Sequence, residues 1–451
     1  MEKPRFKVII IGASISGLTL AHCLDRAGID YVVLEKHHDI HPQLGAGICL
    51  LPNGVRILEQ LGIYTAMESM FFTDRFGRSF SCLERRDLLK KLYTELRDKS
   101  RVHVASKVVG ISTDEFGISV ETEIGTVYHG NLAVGADGVH SIARSEMWRV
   151  AAIQEPGLIT DKEKSMICAE FSGVFGVSNP IRGVKNWQSV TYYGEGLTIL
   201  VLPLRENSVF WLVISKLDRK YVYPNIPRFS RGDARCICEP LASTSIWADV
   251  KFGDLWERRR AFNMSALEEY MFEVWHYGRI VCIGDSVSKI APNSAQGASM
   301  AIEAAAGLSN MLRKLINGGK GLGKPSYLEI NAMLHRFNRA QLQRLEDIHT
   351  DSHFLVRFQA SNGLLARAYA CMAPYPRDFM TDGIVRAVTG AMILDYIPLT
   401  GYSGKEWRPL TMGETLVRAK TYYRFVRLLS VTSIILVPVL LSWLVFLQFP
   451  I

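Results

Sequence analysis

The sequence predicts an α/β chain in three parts: a Rossmann-like nucleotide-binding domain, a mainly β domain inserted into it, and a C-terminal transmembrane helix. Three observations carry that reading. A β-branched run at 6–11 passes through Gly12-Ala13-Ser14-Ile15-Ser16-Gly17 into a helical stretch. Short apolar runs punctuated by Gly, Pro and Asn fill 166–217, and residues 428–449 contain no charged side chain.

The first run reads as a buried parallel strand, too short for the apolar region of a signal peptide. A helix then reaches about Ala27, Gly28 stops it, and 31–34 forms a second strand ending at Glu35. Helical patterns follow at 50–61 and 86–97. Alternation with Gly117 and Gly125 predicts a small antiparallel meander over 102–127, and 132–134 is again a buried strand. Past the β-rich stretch, 279–283 is a short strand ending in Gly284-Asp285, and long amphipathic helices cover 298–316 and 327–355. The expected partition is 1–165 and 276–360 for the nucleotide-binding domain, 166–275 for the β domain, 361–427 for an amphipathic and basic segment, and 428–449 for the membrane helix. About 20 apolar residues rising 1.5 Å each span a bilayer core, and membrane helices tolerate a proline such as Pro438.

A chain of 451 residues has room for two globular units, and 48% hydrophobic against 21% charged residues excludes disorder. The net charge of +8 raises the question of nucleic acid, but no basic stretch is interleaved with aromatics. The excess gathers instead at Lys405, Arg408, Arg418, Lys420, Arg424 and Arg427, just before the apolar tail, which suits a membrane surface. The expected location is therefore a single-pass C-terminal anchor in a membrane, the endoplasmic reticulum, with a cytosolic catalytic body. Eight scattered cysteines contain no CxxC pair, so neither a metal site nor a redox dithiol motif is expected.

The chemistry sits in four motifs. Gly12 permits a tight turn, Ser14 is small enough for a pyrophosphate to approach the backbone, and Gly17 lets helix and strand pack closely. The helix N-terminus offers N–H donors to phosphate, and Glu35 accepts ribose hydroxyls while repelling a 2′-phosphate. The second motif is Gly135-Ala136-Asp137-Gly138-Val139-His140-Ser141-Ile142-Ala143-Arg144. The third is Gly284-Asp285-Ser286 with Pro292 and Gln296-Gly297-Ala298, and the fourth is Arg85 within Glu84-Arg85-Arg86-Asp87-Leu88-Leu89.

In their order along the chain the four motifs resemble the FAD-dependent monooxygenases of the para-hydroxybenzoate hydroxylase fold. The resemblance implies a Rossmann-like FAD-binding domain and a mainly β substrate domain, with FAD as cofactor and NAD(P)H as co-substrate. It implies that Asp137 lies near both nucleotides and that Asp285 meets the ribityl chain. It also implies that the segment after Pro292, with Gly297 and Ala298, passes the isoalloxazine ring, and that Arg85 lies near the pyrophosphate and ribityl. Cys49, just after Gly45-Ala46-Gly47-Ile48, joins this candidate cofactor-binding set.

That segment, with Leu51-Pro52-Asn53-Gly54, Phe252-Gly253-Asp254-Leu255-Trp256 and Trp275-His276-Tyr277-Gly278-Arg279, is similar to the fungal epoxidases of meroterpenoid and indole-diterpene pathways. Those enzymes epoxidise an alkene on a polyprenyl chain, and a separate membrane cyclase then opens the epoxide. The expected partners are a hydrophobic prenylated substrate, the membrane and a downstream membrane terpene cyclase. Tyr192 and Tyr193 lie about where related enzymes place a pocket tyrosine, and Tyr192 is the candidate catalytic residue. The chain departs from the family at Ser288 (commonly His), Ala295 (Gly), Ser299 (Asn) and Ala304 (acidic), and 62–85 is about two dozen residues shorter. Two alternatives stay open: aromatic hydroxylation by the same cofactor, and an inactive flavin-binding protein that serves a membrane partner.

Overall fold

The computed structural model describes residues 6–42, 47–64, 72–73, 79–184, 189–204, 207–247, 249–318, 324–360 and 390–399. The tail helix expected at 428–449 lies outside them, as does the basic segment before it apart from 390–399. Among the described residues no helix is long and apolar enough to cross a membrane.

The nucleotide-binding half is a six-stranded sheet in the order His276–Tyr277, Ile280–Cys282, Leu132–Gly135, Lys7–Ile11, Asp30–Leu34 and Val102–His103. All neighbours are parallel except the first pair. Strands buried on both faces read as unbroken apolar runs, which is why Lys7–Ile11 and Leu132–Gly135 were legible from composition alone. Helix Ile15–Ala27 covers the sheet, closed by Gly28 in the left-handed conformation, and helix Gly297–Gly318 packs along it. One expectation is corrected here: Val102–His103 extends the parallel sheet instead of opening the meander. The meander proper is Val108–Thr113, Ile118–Thr122 and Val127–Gly130. Two residues of alternation cannot distinguish those fates, because the pairing partner decides between them.

The second sheet is antiparallel, in the order Val190–Tyr193, Leu197–Pro203, Val209–Val222, Cys168–Ser178, Arg259–Met271 and Ser288–Lys289. Period-two alternation gives it two faces. Val174, Ile199, Val201, Trp211 and Val213 form one, packed on helices Arg231–Cys238 and Phe252–Glu257. Phe171, Phe210, Leu212, Ile214 and Leu267 form the other, against the end of the long helix Tyr327–Gln359. The last strand, Ser288–Lys289, lies within the third motif between Ser286 and Pro292, so the same short segment belongs to the nucleotide site and to the edge of the β sheet.

Candidate active site

Between the two sheets lies a cavity of about 770 Å³, within the usual range for a cofactor or substrate site. Gly12, Ser14, Glu35, Cys49, Arg85, Asp137, Asp285, Gly297 and Ala298 all line it. Gly17 lies behind the turn.

Gly12 has φ +103°, and a Cβ there would stand 2.5 Å from the Ala136 carbonyl oxygen. At Gly17 a Cβ would stand 1.9 Å from the Gly12 oxygen. Any side chain at either position would push the helix off the strand, so the turn is held open by sterics. Ser14 occupies the N-cap, yet its side chain makes no capping bond. Its Oγ instead accepts from Arg85 Nη2 at 2.8 Å, which brings the guanidinium to the mouth of the helix. The helix N-terminus and Arg85 thus converge on one point, an arrangement that suits a pyrophosphate.

Glu35 is buried at the end of its strand. Its Oε2 accepts the Ala13 N–H at 2.8 Å and its Oε1 the His37 N–H at 2.9 Å. Each oxygen keeps a lone pair, so the carboxylate is oriented and still able to accept hydroxyls. Burial lowers the Arg85 guanidinium from its usual value, opposed by the nearby carboxylates of Asp285 and Glu35.

Asp137 has a more structural task than its motif suggests. It accepts Ser141 Oγ–H at 2.6 Å and the N–H groups of Ile142 and Ala143 at 2.7 and 3.1 Å. It therefore caps helix Ile142–Gln154 and fixes the loop that walls the cavity. Burial raises its carboxyl, and those hydrogen bonds pull the other way. Asp285 opens into the cavity but sits deep between its walls. That depth raises its carboxyl, while Lys289 and Arg85 oppose the rise. Lys289 in turn pairs with Glu268 at 2.6 Å, and both line the cavity.

Arg144 is the residue that sequence reasoning passed over. It closes the second motif and is 5% exposed. Its Nη1 donates to the Ser286 carbonyl at 2.6 Å and its Nη2 to that of Val139 at 2.8 Å, with Phe272 and Trp148 stacked on the guanidinium. One side chain thus ties the second motif to the third. Its place at the end of the motif was the available signal.

Tyr192 is a correction. It does not line the cavity. Its strand partner is Ile199, and it packs with the Trp211 cluster on the far face of the sheet. Strand parity decides this, since a one-residue change of register reverses the face.

The family departures also find physical accounts. Ser288 lines the cavity. Ser299 Oγ accepts the Leu51 N–H at 3.1 Å, and a Cβ on Gly54 would approach that oxygen to 2.9 Å, so a small residue suits this tight helix contact. Ala295 adopts φ 56°, ψ 15°, the left-handed conformation that an L-residue enters at a penalty of about 1–2 kcal/mol. Ala295→Gly relieves that strain, partly offset by greater unfolded-chain entropy. A net gain of roughly 0.5–1 kcal/mol in denaturant unfolding is expected.

Taken together, the residues present fit FAD: a glycine turn, a helix N-terminus with an arginine, an oriented carboxylate at the strand end, and a second helix beginning at Gly297 on the same cavity. Comparison with known proteins agrees. A family model described as FAD binding domain matches residues 5–109 and 101–329. The chain is 45% identical to the FAD-dependent monooxygenase ctvC of Aspergillus terreus over 467 aligned positions, covering 98% of each chain. It is 45% identical to the FAD-dependent monooxygenase aurC of Calcarisporium arbuscula, covering 90% of this chain and 88% of that one. Among solved structures, Klebsiella pneumoniae HpxO complexed with FAD and uric acid superimposes with a TM-score of 0.67 at 19% identity, over 86% of this chain and 97% of that one. The chain belongs to the FAD-dependent monooxygenases, on the para-hydroxybenzoate hydroxylase type of fold.

Proposed function

We propose that this monooxygenase epoxidises an alkene of a prenylated, meroterpenoid or diterpenoid biosynthetic intermediate, with NAD(P)H as reductant and O₂ as oxygen source. The observation that carries the proposal is the apolar share of the cavity lining, to which Ile48, Phe175, Leu267, Ile290, Met300 and Leu345 contribute. Such a lining suits a hydrocarbon chain and keeps water from the reacting atoms. The uncharged tail at 428–449 supports delivery of a greasy substrate from a membrane, where a downstream terpene cyclase would take the epoxide.

Bound FAD supplies the redox chemistry and the electrophilic oxygen. The protein binds and orients. Gly12, Ser14 and Arg85 would hold the pyrophosphate, Glu35 the adenosine ribose, and Asp285 the ribityl hydroxyls. Transfer of an electrophilic oxygen to an alkene asks for no nucleophilic side chain, which accords with Tyr192 lying on the other face of the sheet. Asp285→Ala removes a charged acceptor and is expected to weaken FAD binding by about 1.5–3 kcal/mol, more than about tenfold in affinity. Flavin absorbance of the purified variant reads this, and undiminished occupancy would sink the ribityl contact.

The same cavity also presents Ser265, Glu268, Ser288 and Lys289, which favours aromatic hydroxylation as the second reading. Steady-state NADPH oxidation with a panel of substrates separates the two. The proposal expects stimulation by prenylated quinones or phenols and none by small phenols. The reverse order supports hydroxylation, and flavin without any substrate-dependent oxidation supports an inactive partner protein.

A further inference from the structure

Strands Gly47–Leu50 and Ser79–Glu84 pair antiparallel, and their register sets Cys49 directly opposite Cys82. Opposed residues in such a pair have Cα atoms about 4.5–5.5 Å apart, inside the roughly 4.4–6.8 Å that a disulfide spans. Both are free thiols and half-buried. Cys49 lines the FAD cavity, while Cys82 packs against the sheet face built from Phe171, Phe210 and Leu212. Of the other described cysteines, Cys23, Cys238 and Cys282 are buried.

We propose that Cys49 and Cys82 are a peroxide-sensitive dithiol in the cavity wall, which hydrogen peroxide converts to a cross-strand disulfide. In the first step one sulfur, having released its proton, attacks a peroxide oxygen. The O–O bond breaks, the leaving hydroxide takes up that proton as water, and a sulfenic acid remains. The second sulfur then attacks the sulfenic sulfur. The S–S bond forms, the S–O bond breaks, and hydroxide leaves with the second thiol's proton as water. Two thiols lose two electrons, and one hydrogen peroxide becomes two waters.

The link has a route to the cofactor site. Ser79–Glu84 runs straight into helix Arg85–Thr94, whose first residue holds Ser14 at the pyrophosphate turn. A disulfide at Cys82 ties the cavity wall to the segment that presents Arg85 and slows the opening that releases FAD.

The test treats FAD-loaded protein with stoichiometric hydrogen peroxide, alkylates it under denaturing conditions and maps the peptides by mass spectrometry. The expected result is joint loss of alkylation at Cys49 and Cys82, and one linked peptide that a dithiol reductant separates. FAD release on dilution is slower after oxidation and recovers on reduction. In Cys82→Ser the linked peptide vanishes and Cys49 stops at a sulfenic acid that dimedone traps. Oxidation of exposed Cys236 with the pair left alkylatable would overturn the proposal, as would a linked peptide with unchanged FAD release.

Discussion

Arg144→Met is expected to yield protein that melts earlier and carries markedly less FAD. Methionine is close enough in volume to keep the Phe272 and Trp148 contacts, so the loss is one of hydrogen bonds more than of packing. The Ser286 and Val139 carbonyls lose their guanidinium partners in a buried setting. Each orphaned acceptor costs about 1–3 kcal/mol, so a destabilisation of roughly 2–5 kcal/mol follows. The functional effect goes further than stability, because those carbonyls belong to the two loops that wall the cofactor cavity. Thermal unfolding followed in parallel with flavin absorbance measures both. Arg144→Lys reaches one carbonyl at best and should fall between the two. A methionine variant with full flavin content would show that the motifs are positioned independently.

The second large effect is expected at Glu303, which is fully buried. Its carboxylate meets Arg344 through both oxygens, at 3.0 Å to Nε and 3.1 Å to Nη2, and also accepts from Asn53 Nδ2 at 2.5 Å and the Met392 N–H at 3.3 Å. Helices Pro52–Leu61, Gly297–Gly318 and Tyr327–Gln359 all meet at this one side chain. Glu303→Ala breaks a buried ion pair and removes the acceptor that Arg344, Asn53 and the Met392 N–H share, which costs about 3–5 kcal/mol. Glu303→Gln keeps the shape and some hydrogen bonds and should cost less. Denaturant unfolding gives both values, and an alanine variant within 1 kcal/mol of the parent, roughly the scatter of surface substitutions, would remove Glu303 from the framework. The single acid at 303, followed by Ala304, thus has a structural task.

What could be read from the sequence was chemistry at short, fixed offsets. Gly12, Ser14, Gly17 and Glu35 fall within one βαβ unit, and backbone sterics demand glycine at the first and third. Asp285 and Arg85 were legible as motif residues at element boundaries. Contacts across the chain were not. Arg144 and Ser286 lie 142 residues apart, and Asn53 and Glu303 lie 250 apart. No local pattern announces such partners. Tyr192 shows a different limit: the strand was legible and its parity was not, because the buried face follows from register with Ile199. The alignment with the Aspergillus terreus relative has 467 positions, more than the 451 residues of this chain, so that relative has residues which this chain lacks.

Incubation of microsomal or detergent-solubilised protein with FAD, NADPH and a prenylated quinone or phenol under ¹⁸O₂ decides for or against epoxidation. The expected product carries one labelled oxygen, bound as an epoxide at a former alkene of the prenyl chain. Label on a ring phenol, or a product whose new oxygen comes from water, would contradict epoxidation.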